Sequence, residues 1–235
     1  MNAESPPAGA PSGASAEPRL AGAAGAAVSA RGVVKRFGRA AALRDLDLDI
    51  AAGAGLAVLG DNGAGKSTLL RLLAGLARPS KGRIEVDGRP ASHRDSRARL
   101  GFVGHATALA PSLSVRENLL FAARLHGLPD ARRRADQRVE SEGLAELAER
   151  PARALSRGQA QRAAIARALI HDPALVLLDE PYTGLDAASA ERLATRLAEI
   201  RAAGRTLVVV THDPSALAGL VDGAVRLAAG RLESA

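Results

Sequence analysis

The 235 residues contain no cysteine and no tryptophan, and only one tyrosine, one methionine and three phenylalanines. Without cysteine there is no disulfide framework and no thiolate metal site, and the chain fits a reducing compartment without proving one. Scarce aromatics leave few platforms on which single-stranded bases can stack. Lysine is nearly missing too: of 32 basic residues set against 25 acidic ones, all but three are arginine. That excess invites a nucleic-acid reading, but the arginines are scattered rather than gathered on one element. An alanine- and arginine-rich composition points instead to a GC-rich genome, and no nucleic-acid partner is expected. Long apolar runs are also lacking. The longest, such as ALVLL at 174–178, have the length of buried strands and fall far short of the ~18 residues of a membrane span. A chain soluble by itself is expected, and 47% hydrophobic residues suffice for the core of one large domain.

Residues 1–27, MNAESPPAGAPSGASAEPRLAGAAGAA, hold almost no large side chain. They cannot bury enough surface to offset the entropy of ordering, so a disordered tail is expected. The stretch LAGAAGAAVSA after Arg19 mimics a signal peptide. It is only weakly apolar, and Glu4 and Glu17 precede it instead of a positive cluster, so none is expected. From Val28 the pattern becomes structured. DLDLDI at 45–50 alternates, with Leu46, Leu48 and Ile50 on one face and three aspartates on the other. This predicts a half-exposed antiparallel strand whose carboxylates form a solvated face. GLAVLG, ALVLLDE and TLVVVTHD are instead continuous apolar runs separated by helical stretches, the pattern of parallel strands covered on both sides. Residues 112–150 read as helices punctuated by Gly127, Pro129 and Gly143.

GDNGAGKST at 60–68 comes directly after the strand GLAVL and opens the helical run STLLRLLAGL. Gly60, Gly65, Lys66 and Ser67 match G-x-x-x-x-G-K-[ST], and Asn62, Gly63 and Thr68 belong to the same loop. Glycines let backbone amides wrap a β-phosphate, the helix start adds its positive end, Lys66 reaches the β- and γ-phosphates, and Ser67 ligates Mg²⁺. The strand LVLLDE supplies the other half. Asp179 is expected to hold the metal, directly or through water, and Glu180 to orient and deprotonate the attacking water. ATP and Mg²⁺ are therefore the expected ligands.

A second glycine-containing loop, LSRGQ at 155–159, begins the helical run LSRGQAQRAAIARALI with Ser156 as its cap. The first loop already cradles the phosphates of its own nucleotide, so this second anion site must serve a nucleotide held by another molecule. With both loops in place the chain after Val28 resembles the ATP-binding subunits of ABC transporters. That resemblance implies an α/β fold: a P-loop NTPase (RecA-like) core with an antiparallel β subdomain and an inserted α-helical ABC subdomain at approximately 106–160, all within 28–235. It also implies two ATP molecules sandwiched between this chain and a second copy of itself, or a homologous ATPase subunit. Each ATP would be bound by one subunit's phosphate loop and the other's LSGGQ-type signature. The middle glycine of that signature is here Arg157, a position where the family tolerates basic residues. Ser156 and Gly158 are kept as the γ-phosphate contacts, and Gln159 is counted among the nucleotide-binding residues.

The remaining landmarks fall in order. Phe37 sits where an aromatic stacks on adenine, with a packed core aromatic as the alternative. Asp186, in TGLD, matches the loop that crosses the dimer. His212, ending LVVVTHD, matches the switch histidine that contacts the γ-phosphate, with a polar strand-end residue as the alternative. Partners implied are integral membrane transporter subunits, and the implied location is peripheral, on the cytoplasmic face of the cell membrane. DNA-acting members insert a long coiled coil between the two motifs, and translation factors carry two cassettes, whereas about 90 residues intervene here. A transport motor is expected over a nucleic-acid ATPase. About 23 residues lie beyond His212, and no appended regulatory domain is expected.

Where the family has Gln at the Mg²⁺-sensing strand end, LGFVGHATAL places His105. GFVGHATAL with SVRENLLFAARLHGL after it resembles the ATP subunits of heme exporters of cytochrome c maturation. Export of heme is the expected function, with a drug, lipid or polysaccharide exporter as the alternative; His105 itself is open between a ligand contact and an ordinary loop residue. The run ARRRADQR at 131–138 is expected to be a solvated helix face, with acidic loops or lipid headgroups as its other possible contacts.

Overall fold

The computed structural model describes residues 19–20 and 26–234. The chain enters through an antiparallel unit. β2 (Ala26–Phe37) and β3 (Ala40–Ala51) form a long hairpin, and β5 (Lys81–Val86) and β6 (Arg89–Pro90) extend it on the β2 side. On the other edge β1 (Arg19–Leu20) lies parallel to β3, aligned with Asp49 and Ile50. The disordered tail expected over 1–27 falls largely outside the described residues, and needs correction where it does not. Arg19–Leu20 and Ala26–Ala27 are in strands, because the open edges of β3 and β5 carry backbone N–H and C=O groups that pair with a strand of any composition.

The alternation of DLDLDI appears as expected in β3: Leu46, Leu48 and Ile50 are buried. Its aspartates are less free than expected. Asp47 accepts the Gly32 N–H at 2.6 Å and Asp49 pairs with Arg31 at 2.6 Å, so two of the three carboxylates stitch β3 to the bulged β2 instead of facing only water.

The apolar runs form the second sheet. β4 (Gly55–Leu59), β8 (Leu175–Asp179), β9 (Thr206–Val210), β7 (Leu100–Val103) and β10 (Gly223–Ala228) are parallel, with β11 (Arg231–Ser234) closing one edge antiparallel, in the order β11-β10-β4-β9-β8-β7. Successive side chains leave opposite faces, so each apolar run feeds two cores. Leu56, Val58, Leu175, Leu177, Val208 and Val210 join α1 (Lys66–Leu73) and the hairpin unit on one face. Ala57, Val176, Leu178, Leu207 and Val209 join α5 (Arg157–Ala168) and α6 (Ala187–Ala202) on the other. A short α2 (Arg94–Ala98) leads into β7.

Between β7 and β8 lie the helices expected at 112–150: α3 (Val115–Leu125) and α4 (Ala131–Ser141), then two short 3-10 turns and α5. Val115, Leu119, Ala135, Val139 and Leu144 make their own core with Ala163 and Ala166 of α5. α5 also contributes Ala164, Ile165 and Ala168 to the sheet core. Its alanines present little bulk on either side, so this one helix is shared by the helical layer and the α/β layer. A buried carboxylate reinforces the junction: Glu142, after α4, accepts from Arg196 of α6 at 2.6 Å and from Arg138 at 3.4 Å.

Candidate active site

β4, β8 and β9 are in register, Val58 beside Val210 and Val210 beside Asp179, so their carboxyl ends stop at one level. The segments that leave these strand ends are thereby brought together: the loop 60–65 after β4, Glu180 after β8, and Thr211–His212 after β9. The loop passes close to its neighbours. A methyl group on Gly60 would lie 2.2 Å from the Leu227 carbonyl oxygen, and one on Gly65 would lie 2.5 Å from that of Ala42. Both glycines have positive φ, 146° and 108°. Gly65 offers no side chain to cap α1, so the first-turn N–H groups have no capping oxygen from this residue. The arrangement is the anion-binding form of a strand-loop-helix junction.

Lys66 is 7% exposed. Its Nζ donates to the carbonyls of Gly60 at 2.6 Å and Asp61 at 3.1 Å and lies 3.9 Å from Glu180 Oε1. Glu180 holds φ +51°, an uncommon backbone state for a non-glycine residue, while its N–H donates to Val210 O at 2.9 Å. This bend turns Glu180 out of the strand, where its Oε2 meets His212 Nδ1 at 2.8 Å and Thr183 Oγ1 at 3.4 Å. Asp179 is 5% exposed, and its Oδ1 has no hydrogen-bond partner among the described residues. A buried carboxylate oxygen left this way is what a cation site requires. Among the described residues no three or more His, Asp or Glu side chains form a group able to hold a metal unaided. Mg²⁺ commonly takes one or two protein ligands with substrate phosphates and water completing the shell, and Ser67 and Asp179, lining one cavity, fit that demand.

That cavity measures about 720 Å³ and is lined by eleven of the expected residues: Gly60, Asn62, Gly63, Gly65, Lys66, Ser67, Thr68, His105, Asp179, Glu180 and His212. Ala42, Thr183 and Arg226 also line it and were not foreseen. Thr183, three residues beyond Glu180, is within reach of a turn argument. Arg226 has no local signal, since it enters through β10 lying beside β4.

Five expected residues stand apart from this cavity. Phe37 ends β2 and is 58% exposed, with Lys35 Nζ 5.0 Å from its ring centre, so the alternative of a packed core aromatic is excluded. Ser156, Gly158 and Gln159 open α5, where Ser156 Oγ accepts from the Gln159 N–H at 3.3 Å and Gln159 Oε1 from the Ser156 N–H at 2.9 Å. This reciprocal box engages the very side chains expected to meet a nucleotide and satisfies two N–H groups at the start of α5. Asp186 caps α6, accepting the Ser189 N–H at 2.7 Å. Hydrogen bonds from the Ser189 backbone and side chain hold its carboxyl below the usual range.

A strand-loop-helix anion cradle at the carboxyl end of a parallel sheet, with a buried lysine and an Asp-Glu pair beside it, defines a P-loop NTPase site. The ABC transporter family description matches residues 43–183, and the chain belongs to that family. It is similar to the sn-glycerol-3-phosphate import ATP-binding protein UgpC 1 of Rhizobium johnstonii, 40% identical over 215 residues, covering 88% of this chain and 58% of that protein. It is also similar to the taurine import ATP-binding protein TauB of Pseudomonas aeruginosa, 42% identical over 186 residues, covering 76% and 68%. Among solved structures, the dimeric post-hydrolysis ATP-binding cassette MJ0796 bound to ADP and Pi superposes with a TM-score of 0.80 at 30% identity, covering 88% of this chain and 96% of that one. The chain spans only about three fifths of the length of several curated relatives, 58% and 62% in two cases. These relatives are named as import ATPases; the resemblance to ABC ATP-binding subunits is borne out, whereas the heme-exporter resemblance read from GFVGHATAL finds no support in their names.

Proposed function

We propose that the chain is the ATP-hydrolysing subunit of an ABC transporter, working as a dimer that closes on two ATP molecules and drives separate membrane subunits. The observation that carries this is the convergence of Lys66, Asp179, Glu180 and His212 on the glycine loop. Lys66 exchanges its bonds to the Gly60 and Asp61 carbonyls for β- and γ-phosphate oxygens, a like-for-like replacement that keeps the ammonium satisfied. Ser67 and Asp179 hold Mg²⁺, which when bound neutralises charge on the phosphate oxygens. Glu180 takes the proton of the attacking water, and His212, hydrogen-bonded to Glu180, orients that carboxylate from the opposite side to Lys66. Phe37, exposed at the end of β2, stacks on adenine. Ser156, Gly158 and Gln159 serve the nucleotide of the second subunit, with Asp186 beside the crossing; their separation from the cavity of their own chain supports use in trans.

The membrane partner is proposed to meet the helical layer, where α3 exposes Phe121 (59%) and Leu125 (75%) beside Arg124. Among the described residues no helix is long and apolar enough to cross a membrane. A peripheral place on the cytoplasmic face of the membrane is the corollary of this partnership. For the cargo, heme export rests on GFVGHATAL, with His105 exposed at the cavity. Import of a small anion or amino acid is the second reading, favoured by the names of the relatives. Deleting the gene separates them: loss of c-type cytochromes with b-type retained supports heme export, and normal c-type cytochromes refute it.

The motor itself is tested with Glu180→Gln, which retains nucleotide but removes the base. Gel filtration in Mg-ATP should show a dimer. A persistent monomer at high protein concentration, or Lys66→Ala hydrolysing ATP at the parental rate, would refute the proposal.

A further inference from the structure

Arg157 occupies the first position of α5, immediately after the Ser156 cap, and its side chain is exposed. It forms no hydrogen bond or ion pair among the described residues, so its guanidinium is not held by charge. It is held by packing. A methyl built on Gly184 would lie 2.8 Å from Arg157 Nε, 2.9 Å from Cδ and 3.0 Å from Cζ. Three atoms of one side chain at this range mean that the arginine lies flat across the bare backbone of the turn that precedes α6. Gly184 has φ +70°, so the turn selects glycine on conformational grounds, and the missing side chain makes the bed for Arg157.

A second contact runs alongside. A methyl on Gly158 would meet Ser189 Oγ at 2.7 Å. Ser189 is buried in the first turn of α6, where its N–H is capped by Asp186 and its Oγ accepts from Arg192 at 3.1 Å. The starts of α5 and α6 are therefore keyed together at two points, Arg157 on Gly184 and Gly158 on Ser189. Each start carries one of the loops proposed to face the second subunit.

We infer that Arg157 is a positioning residue, whose side chain locks the LSRGQ loop to the TGLD loop so that both present one rigid surface to the partner copy. The inference rests on the proposed ATP-dependent dimer. With the lock in place, the subunit loses less conformational freedom when the second copy arrives; without it, two loops must be ordered separately. The contact is made by stem and planar face, so shape matters here and charge does not. Methionine, long and unbranched, covers Gly184 where alanine leaves it bare.

Three variants in the Glu180→Gln background, Arg157→Ala, Arg157→Met and Gly184→Ala, test it, with dimerisation in Mg-ATP monitored by analytical ultracentrifugation and monomer binding by a fluorescent ATP analogue. Arg157→Ala should weaken the dimer roughly tenfold, in keeping with coupling between touching groups, and leave monomer nucleotide affinity unchanged. Arg157→Met should stay within about twofold of the parent. Gly184→Ala should cost less in the Arg157→Ala background than alone, because the clash has gone and only the backbone strain remains. ATPase rate against protein concentration should shift to higher concentration for Arg157→Ala while keeping its plateau when Glu180 is restored. If the Glu180→Gln parent fails to dimerise, the proposed function falls. If the parent dimerises and Arg157→Ala matches it, or Arg157→Met is as weak as Arg157→Ala, the positioning role falls alone.

Discussion

Lowering the pH from 7.5 to 5 should destabilise the protein through one identifiable pair of imidazoles. His126, at the end of α3, and His171, after α5, stack face to face with centroids 3.7 Å apart and planes 9° from parallel. His171 Nε2 lies 3.2 Å from Leu100 O, and its Nδ1 is buried without a partner among the described residues. The neutral ring with its proton on Nε2 suits this site. A second proton on Nδ1 would be buried with no acceptor, and the charge it brings would lie against the stacked His126 ring, with Arg138 nearby. Burial and His126 push the His171 value down from 6.5 to about 4; the Leu100 carbonyl and Asp172 oppose them. Burial, then Arg167, lowers His126 as well.

The unfolded chain therefore takes up a proton on His171 from about pH 6.5 downward, while the folded chain resists until about 4. Stability is fully retained above 6.5, declines as pH falls through that window, and levels off below 4. The ceiling is roughly 3 kcal/mol, and solvent at the partly exposed ring reduces it to about 1–2 kcal/mol, most of it expressed by pH 5. With a urea m-value of about 2 kcal/mol per molar, and about three fifths of the effect expressed by pH 5, the midpoint should fall by about 0.3–0.6 M more for the parent than for His171→Gln. Measuring both proteins at both pH values cancels the other titrating groups. Parallel declines in parent and variant would refute the reasoning.

Two further outcomes concern buried groups. Glu142→Gln keeps the shape but removes the charge shared by Arg138 and Arg196, and should lower stability by about 1–3 kcal/mol in urea titrations; a change below about 0.5 kcal/mol would show that the two arginines are satisfied by their other partners, Asp172 and Glu199, and that the Glu142 charge adds little to the junction. Tyr182 has a buried hydroxyl without a partner among the described residues, and burial raises it to about 12. Tyr182→Phe should be neutral or stabilising by up to about 1 kcal/mol in thermal unfolding, and a clear loss of stability would refute this account.

Much of this architecture is legible in the one-dimensional pattern because its causes are local. The glycine loop before Lys66 needs positive φ at set positions, the Ser156–Gln159 box needs only two residues three apart, and DLDLDI displays the period of its strand. The runs LVLLD and TLVVV announce strands buried on both faces. Other features had no local cause to reveal them. Arg226 lines the cavity because β10 pairs with β4, a register set by the stacking of the whole sheet. Asp47 and Asp49 bond to β2 because the bulges of that strand present Gly32 and Arg31 to them. The stacking of His126 on His171, 45 residues later in the chain, and the bed that Gly184 makes for Arg157 join segments remote in sequence. Periodicity and turn chemistry act over a few residues and are written in order along the chain; contacts between elements depend on how the layers close, and only the folded molecule decides them.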